Sequence, residues 1–220
     1  MTREEVRKRI FDVGIIPVVR ASSAKLAMCA GEAVCAGGIP IVEITMTVPG
    51  AVEVIATLTH SIGKDVLIGA GTVYNADTAE RCLEAGAQFV VGPGLDLDTV
   101  RLVRSKNVLV IPGALTPTEI IAALKTGADM VKIFPCGNIG GAKYLKALRG
   151  PFPEIHMIPT GGVNLENAAD FIRAGAVALG VGGELVSVSA LKSGNTLEIT
   201  EAARKLVSIV SHARREAANS

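Results

Sequence analysis

Two ionisable side chains stand inside apolar runs of the sequence, where charged residues are uncommon. Lys132 lies in "DMVKIFPCGNIGG" and Glu43 lies in "IVEITM". Burial among apolar groups disfavours an ammonium ion and lowers the pKa of a lysine, and a neutral amine can attack a ketone to form a Schiff base. A carboxyl group close to such an amine can act as a general acid and base. Lys132 and Glu43 are therefore the candidate catalytic residues.

Each of these residues also has a purely structural interpretation. Lys132 could extend its amine to solvent at the rim of the fold, and Glu43 could form an ion pair with Arg20 or Lys132. The functional interpretation contains a conflict, because an ionised Glu43 beside Lys132 would raise the pKa of the lysine and oppose its activation. The sequence leaves the protonation state of Glu43 open.

Two glycine-rich turns form a second set of candidates. "PTGGVN" contains Thr160, Gly161 and Gly162, and "GVGG" ends at Gly182 and Gly183. Either turn alone can simply lead into the next helix. Together they indicate a phosphate site, because backbone N–H groups at the start of a helix bind anions.

Eight short, β-branched runs predict the strands that position these residues. They lack alternation between apolar and polar residues, which is typical of parallel strands covered on both faces. The runs are Gly14–Arg20, Ile39–Met46, Val66–Val73, Gln88–Gly94, Asn107–Gly113, Asp129–Pro135, His156–Gly162 and Ala176–Gly183.

The segments between these runs predict helices with recognisable ends. "SSAKLAMCAGEAVCAGG" begins with serines suited to an N-cap, and "TPTEIIAALKTGAD" begins with a capping-box pattern. A small residue and a glycine, suited to a helix C-cap, precede the next strand at Ala36-Gly37, Ala85-Gly86, Thr126-Gly127 and Ala174-Gly175.

Eight strand–helix units in 220 residues predict one α/β domain over residues 1–220, a (β/α)8 TIM barrel. The start of the chain, "MTREEVRKRIFDVG", predicts an extra N-terminal helix that covers the bottom of the barrel. An open, doubly wound sheet is the alternative, but Arg20-Ala21-Ser22 after the first strand lacks the GxGxxG motif expected there. In a barrel, the active site lies at the carboxyl ends of the strands. Those ends carry Arg20, Glu43, Thr45, Thr47, Gly71, Thr72, Pro93, Pro112, Lys132, Phe134, Thr160–Gly162 and Gly180–Gly183.

Composition excludes several classes of function. Net charge is +1 and no basic stripe occurs, so we expect no nucleic-acid partner. The four cysteines show no zinc spacing and indicate reduced thiols in a cytoplasmic protein. No apolar run reaches the roughly 20 residues of a membrane span. The three histidines show no spacing typical of metal ligands, and the strand ends carry a single carboxylate, so we expect no metal site.

The sequence resembles the bacterial 2-keto-3-deoxy-6-phosphogluconate (KDPG) aldolases and the related 4-hydroxy-2-oxoglutarate (KHG) aldolases. The resemblance runs from about Ile15 to Leu185. It is carried by "PVVR", "IVEITMTVPGA", "IGAGTV", "VGPG", "IPGALTPTE", "VKIFPCGNIGG", "LKALRGPFP" and "IPTGGVN".

This resemblance implies a metal-independent class I aldolase, a carbon–carbon lyase without cofactor, on a homotrimeric barrel. Lys132 would be the Schiff-base lysine and Glu43 the acid/base. Arg20 and Thr72 would hold the pyruvate carboxylate, and Pro93, Phe134 and Thr160 would line the pocket. The phosphate would be held by Gly161, Gly162, Gly182 and Gly183.

Two residues depart from the pattern of the family. Thr47 stands where some members carry an arginine that helps to bind the carboxylate, so Arg20 is expected to take that role. Gly183 stands where a serine often contacts the phosphate, which weakens the expectation of a strict phosphate requirement. Thr160 resembles the gluconate-type enzymes, whereas galactonate-type relatives tend to have an apolar residue there.

The expected reaction is cleavage of KDPG, an Entner–Doudoroff substrate, to pyruvate and glyceraldehyde 3-phosphate. Cleavage of KHG to pyruvate and glyoxylate, as the main or a second activity, is the first alternative, and another keto-deoxy sugar acid phosphate is the second. A phosphosugar isomerase or epimerase would use the same glycine turns without needing Lys132. A module that binds phosphosugars without catalysis is the remaining alternative.

Overall fold

The computed structural model describes residues 1–62 and 65–218. Strands and helices alternate through most of this length, as the sequence predicts. The strands are β1 (Ile15–Val19), β2 (Ile41–Thr45), β3 (Leu67–Gly71), β4 (Phe89–Val91), β5 (Leu109–Ile111), β6 (Gly113–Ala114), β7 (Val131–Ile133), β8 (Met157–Pro159) and β9 (Leu179–Val181). The α-helices are α1 (Arg3–Val13), α2 (Ala24–Ala36), α3 (Ala51–Ser61), α4 (Ala76–Glu84), α5 (Leu97–Ser105), α6 (Pro117–Lys125), α7 (Gly141–Arg149), α8 (Ala168–Arg173), α9 (Val188–Ser193) and α10 (Thr196–Ala218).

The chain has an α/β fold in which parallel sheet forms a half-barrel. One sheet has the order β5-β4-β3-β2-β1-β9, and a second has the order β6-β7-β8. All strand pairs in both sheets are parallel. Every residue of these strands is buried, which explains why the strands lack alternation in the sequence.

The predicted fifth strand is observed as two short strands, β5 and β6. Pro112 alone separates them and has no N–H group for a ladder. β5 pairs with β4, whereas β6 pairs with β7. The carbonyl oxygen of Pro112 still accepts a hydrogen bond from the Lys132 N–H, at 2.9 Å. A parallel bridge between Thr160 and Gly180 links the end of β8 to β9.

The predicted helix starts are confirmed, and the four predicted helix ends are confirmed as well. Ser23 caps α2, and Thr116 and Glu119 form the capping box of α6. Left-handed glycines follow three of the helices as predicted, at Gly86, Gly127 and Gly175. After α2 the left-handed residue is Gly38 and not Gly37, whose added Cβ would meet the Thr200 carbonyl oxygen at 2.7 Å.

The N-terminal segment forms helix α1. The helix begins with a capping box between Thr2 and Glu5 and ends at Gly14, which has a left-handed conformation. Val6 and Ile10 are buried in the core. Arg3 forms an ion pair of 2.8 Å with Asp129, just before β7. α1 is therefore anchored to the fold by both apolar and ionic contacts.

The core consists mainly of Val, Ile, Leu and Ala side chains between the strands and the helices, as the composition predicts. All four cysteines are free. Among the described residues, no helix combines the length and the apolar character that a membrane span needs.

Candidate active site

Lys132 lies in the middle of β7, between β6 and β8, in register with Gly113 and Ile158. Only 3% of its surface is exposed, so the alternative in which its amine reaches solvent is wrong. The amine nitrogen lies 5.1 Å from the centroid of the Phe134 ring, within the range of a cation–π contact. The strand therefore holds the amine in a largely apolar environment.

Glu43 lies on β2 and is 2% exposed. Its Oε1 atom is buried and has no hydrogen-bond partner. In the described part of the chain, no lysine or arginine nitrogen lies within 4.0 Å of its carboxyl group, so the expected ion-pair alternative is wrong. An unpaired buried carboxyl oxygen is costly for a fold, which marks this group as one that a ligand or a proton satisfies.

Gly71, at the end of β3, makes room for Glu43. A Cβ atom added to Gly71 would meet the carboxyl carbon and Cγ of Glu43 at 2.6 Å. Gly71 does not have a left-handed φ, so its backbone alone would accept other residues. The missing side chain at position 71 is therefore what allows the carboxyl group to occupy this place.

Both Glu43 and Lys132 have shifted pKa values, and each shift favours the uncharged form of the group. Burial raises the pKa of Glu43 above its ordinary value, and the nearby charges of Lys132 and Arg20 oppose that rise. Burial lowers the pKa of Lys132; Glu43 opposes this shift and Arg20 adds to it. These shifts reduce the conflict in the sequence interpretation, because burial favours the uncharged form of Glu43, which does not raise the pKa of Lys132.

Arg20 follows β1 and is exposed at the carboxyl end of the strands. Beside it, the Thr45 hydroxyl donates a hydrogen bond to the Val19 carbonyl oxygen at 2.9 Å and lies 2.7 Å from the Thr47 hydroxyl. Since the single proton of Thr45 is already used, Thr47 must be the donor in that second bond. Thr47 then presents lone pairs only, and Arg20 is the better donor for a carboxylate.

A cavity of about 210 Å³ brings together seven of the eleven predicted site residues. Val18, Val163 and Glu184, which the sequence did not single out as candidates, also line it. The seven are Arg20, Phe134, Thr160, Gly161, Gly162, Gly182 and Gly183. Lys132 and Glu43 lie outside this lining, and the Phe134 ring connects Lys132 to it.

The two glycine turns at this cavity differ in what requires glycine. Gly161 and Gly162 have φ values of 85° and 77°, so their backbone itself favours glycine. The carbonyl of Gly161 accepts from the Gly137 N–H, and that of Gly162 accepts from the Asn167 amide. At Gly182 and Gly183 an added Cβ would meet nothing within 4 Å, so the absence of side chains there leaves the cavity open.

Thr72 and Pro93 follow β3 and β4 and do not line the 210 Å³ cavity. Thr72 directly follows Gly71, which packs against Glu43, and its φ is 59°. Such a φ is an outlier for a β-branched residue, and strained residues of this kind cluster at active sites. Pro93 packs against Gly113, the residue in register with Lys132.

A larger cleft of about 480 Å³ lies between the end of α1 and α10. Its Arg214 donates hydrogen bonds to the carbonyl oxygens of Asp12 and Val177, at 2.9 and 2.8 Å. The guanidinium thus connects α10 to the end of α1 and to the segment that precedes β9. Among residues 1–62 and 65–218, no group of three or more His, Cys, Asp or Glu side chains is arranged to hold a metal ion.

The presence of a buried lysine and a buried carboxyl group on two strands agrees with a match to a protein family. The family model described as "Aldolase: KDPG and KHG aldolase" matches residues 6–202. The chain belongs to this family. The resemblance that the sequence motifs suggested is thus confirmed.

Relatives in this family cover nearly the whole chain. The 2-dehydro-3-deoxy-phosphogluconate aldolase of Treponema pallidum is 34% identical over 198 residues, covering 90% of this chain and 94% of that protein. The KHG/KDPG aldolase of Escherichia coli is 32% identical over 193 residues, covering 88% and 90%. The KDPG aldolase of Legionella pneumophila, solved with pyruvate captured at low pH as a covalent carbinolamine intermediate, superposes with a TM-score of 0.84. It is 31% identical and covers 90% of this chain and 96% of that chain.

Proposed function

We propose that this protein is a class I aldolase that cleaves KDPG to pyruvate and glyceraldehyde 3-phosphate without a metal ion. The observation that carries the proposal is the burial of both Lys132 and Glu43 on the strands. The burial shifts the pKa of each group in the direction that favours its uncharged form. A neutral amine is the reactive form for attack on a carbonyl group. Membership of the aldolase family supports the same chemistry.

In the first stage, the Lys132 nitrogen attacks the C2 ketone of the substrate and forms a carbinolamine. Loss of water then gives an iminium ion, which carries the positive charge that the free amine lacked. Glu43 supplies the proton that the departing hydroxyl needs, because burial raises its pKa and favours the protonated carboxyl group. Glu43 becomes a carboxylate as the iminium forms, and the two opposite charges stabilise each other.

In the second stage, the iminium ion accepts the electrons of the C3–C4 bond. The ionised Glu43, directly or through a water, removes the proton of the C4 hydroxyl, and the bond breaks to release glyceraldehyde 3-phosphate. The remaining enamine takes the proton back from Glu43 at C3. Water then hydrolyses the iminium, which releases pyruvate and regenerates the Lys132 amine.

We assign the carboxylate of the substrate to Arg20 and Thr72 and its phosphate to the two glycine turns. Thr47 is poorly suited to bind the carboxylate, because its proton is held by Thr45. In the first turn the carbonyls of Gly161 and Gly162 are already bonded to other groups, so its N–H groups are what it offers to an anion. Pro93, Phe134 and Thr160 complete the pocket around the ketone.

KHG cleavage to pyruvate and glyoxylate is the second candidate reaction. It is favoured by the family description, which includes both substrates, and by the 32% identical KHG/KDPG aldolase of Escherichia coli. The same imine chemistry applies, since KHG also carries a ketone at C2 and a hydroxyl at C4. Comparison of kcat/KM for the two substrates decides which reaction is preferred.

We also infer that the two sheets close into a single (β/α)8 barrel over residues 1–220, with α1 as the extra helix. Pro112 between β5 and β6 and the bridge between Thr160 and Gly180 support closure at both junctions. One unfolding transition, identical by circular dichroism and by fluorescence, tests the single domain.

We further propose a cytoplasmic homotrimer. The four free thiols support a reducing compartment. The exposed apolar side chains of Leu97, Ile121 and Leu124, on α5 and α6, support self-association. Sedimentation equilibrium tests the trimer, and a monomer at micromolar concentration contradicts it.

Trapping with borohydride tests the imine mechanism. Incubation with pyruvate and borohydride is expected to give one reduced pyruvate adduct, located by peptide mass spectrometry on Lys132. Lys146→Met is the matched control, since Lys146 is exposed on α7, and it is expected to form the adduct as the wild type does. An adduct that survives Lys132→Met, or activity that EDTA abolishes, contradicts the proposal.

A further inference from the structure

An acidic residue lies at the part of the cavity to which we assign the phosphate of the substrate. Glu184 lines the same cavity as Arg20 and the two glycine turns. The turn that carries it is held by hydrogen bonds from the Leu185 and Val186 N–H groups to the Gly182 carbonyl, at 2.9 and 2.8 Å. Leu185 and Val186 are both buried. Glu184 is therefore placed at the cavity by a fixed turn, although it is itself exposed.

The charges around this cavity do not match those of a phosphorylated substrate. Among the described residues that line it, Arg20 supplies the positive charge and Glu184 the negative charge. A keto acid with a phosphorylated tail brings a carboxylate and a phosphate of about −1.5 to −2 at pH 7. If Arg20 binds the carboxylate, the phosphate is left with backbone N–H groups and with the repulsion of Glu184.

The turn at Gly182 and Gly183 indicates what kind of substrate tail the cavity accepts. Gly182 and Gly183 place no side chain in the cavity, and Thr160 already donates toward the Ile158 carbonyl oxygen at 3.4 Å. A carboxylate accepts hydrogen bonds and cannot donate them. It therefore suits the hydroxyl groups of an unphosphorylated tail and repels a phosphate.

We propose that Glu184 is a specificity-determining residue that disfavours a phosphorylated tail and accepts hydrogen bonds from the hydroxyl groups of an unphosphorylated 2-keto-3-deoxy sugar acid. The proposal rests on the proposed aldolase function and adds a substrate class to it. The wild-type enzyme then cleaves the unphosphorylated acid as well as its phosphate ester.

The test compares kcat/KM for 2-keto-3-deoxygluconate and its 6-phosphate in the wild type and in Glu184→Gln. Removing the negative charge is expected to raise kcat/KM for the phosphate ester on the order of 10-fold, through KM. The value for the unphosphorylated acid is expected to stay the same or to fall. Glu184→Asp, which keeps the charge, is expected to keep a preference close to that of the wild type.

Glu166→Gln is the matched control for a general change in charge. Glu166 is exposed after β8, near the other glycine turn, and does not line the cavity. This substitution is expected to leave the ratio of the two kcat/KM values unchanged. A ratio that Glu184→Gln does not change, or that Glu166→Gln changes equally, overturns the proposal.

The pyruvate adduct separates this proposal from the aldolase function itself. Pyruvate has no tail, so the adduct on Lys132 is expected to form equally in the wild type and in Glu184→Gln, which also shows that the variant is folded. Absence of the adduct in the wild type overturns the aldolase function. An adduct in both proteins with an unchanged substrate ratio overturns only the role of Glu184.

Discussion

Replacing Gly71 by alanine is expected to damage catalysis although no proposed catalytic residue is substituted. The added methyl group would lie 2.6 Å from the carboxyl carbon of Glu43. Ordinary van der Waals contact for such a pair begins at 3.4 Å, so the two groups must separate by at least 0.8 Å (3.4 − 2.6). Gly71 is the last residue of β3, a strand flanked by β2 and β4, and it is in register with Thr45. We therefore expect the side chain of Glu43 to move rather than the strand.

The size of the effect follows from this displacement. A misplacement of about 1 Å in a catalytic group costs on the order of 10²-fold in rate. We expect kcat/KM to fall by about that factor, with a cost to the free energy of unfolding of about 1–3 kcal/mol from overpacking. We expect Lys132 to keep its position, because the nearest atoms to the added methyl group all belong to Glu43.

Two measurements separate the roles of the two residues. The borohydride adduct with pyruvate is expected to form on Lys132 in Gly71→Ala, because the amine is intact. Exchange of the pyruvate methyl protons with deuterated water, followed by NMR, is expected to be slowed about 10²-fold, because it requires proton transfer by Glu43.

Gly31→Ala is the matched control. Gly31 lies in α2, and an added Cβ would have its nearest contacts at 3.6 Å, which is ordinary packing distance. Full activity is expected for this variant. In a double-mutant cycle, the stability cost of Gly71→Ala is expected to be smaller when Glu43 is replaced by aspartate, whose shorter side chain withdraws the carboxyl group. Wild-type proton exchange in folded Gly71→Ala would refute the role assigned to Glu43.

Three further predictions concern the charged groups. Lys132→Met is expected to abolish the pyruvate adduct and to raise the free energy of unfolding by about 0.5–2 kcal/mol, because it removes a buried amine; a less stable variant in denaturant titration contradicts this. Glu43→Gln removes a group whose ionised form opposes the lowering of the Lys132 pKa, so the pH at which pyruvate trapping reaches half its maximal rate is expected to fall; a rise is the contrary result. Arg20→Met is expected to raise KM for the keto acid by about 10- to 100-fold, the value of a hydrogen bond to a charged group; an unchanged KM in steady-state kinetics excludes this role.

Several features could be predicted from the sequence because they depend on residues close together in the chain. The capping box of α6 lies within four residues, Thr116 to Glu119, and it forms as predicted. The alternation of strands and helices follows from local periodicity in the same way. Lys132 and Glu43 were recognisable because their charges conflict with the apolar residues on either side of them.

Other features required the tertiary structure, because they depend on atoms from distant parts of the chain. The protonation of Glu43 depends on its burial and on the charges of Lys132 and Arg20. These three residues come from β2, from β7 and from the position that follows β1. Its place in the sheet depends on Gly71 of the neighbouring strand. The sequence did not predict that Glu184 lines the cavity, although its position directly after Gly183 was a signal. The sequence therefore identifies the chemical group, whereas its protonation state and the space available to it depend on the strands that the fold packs around it.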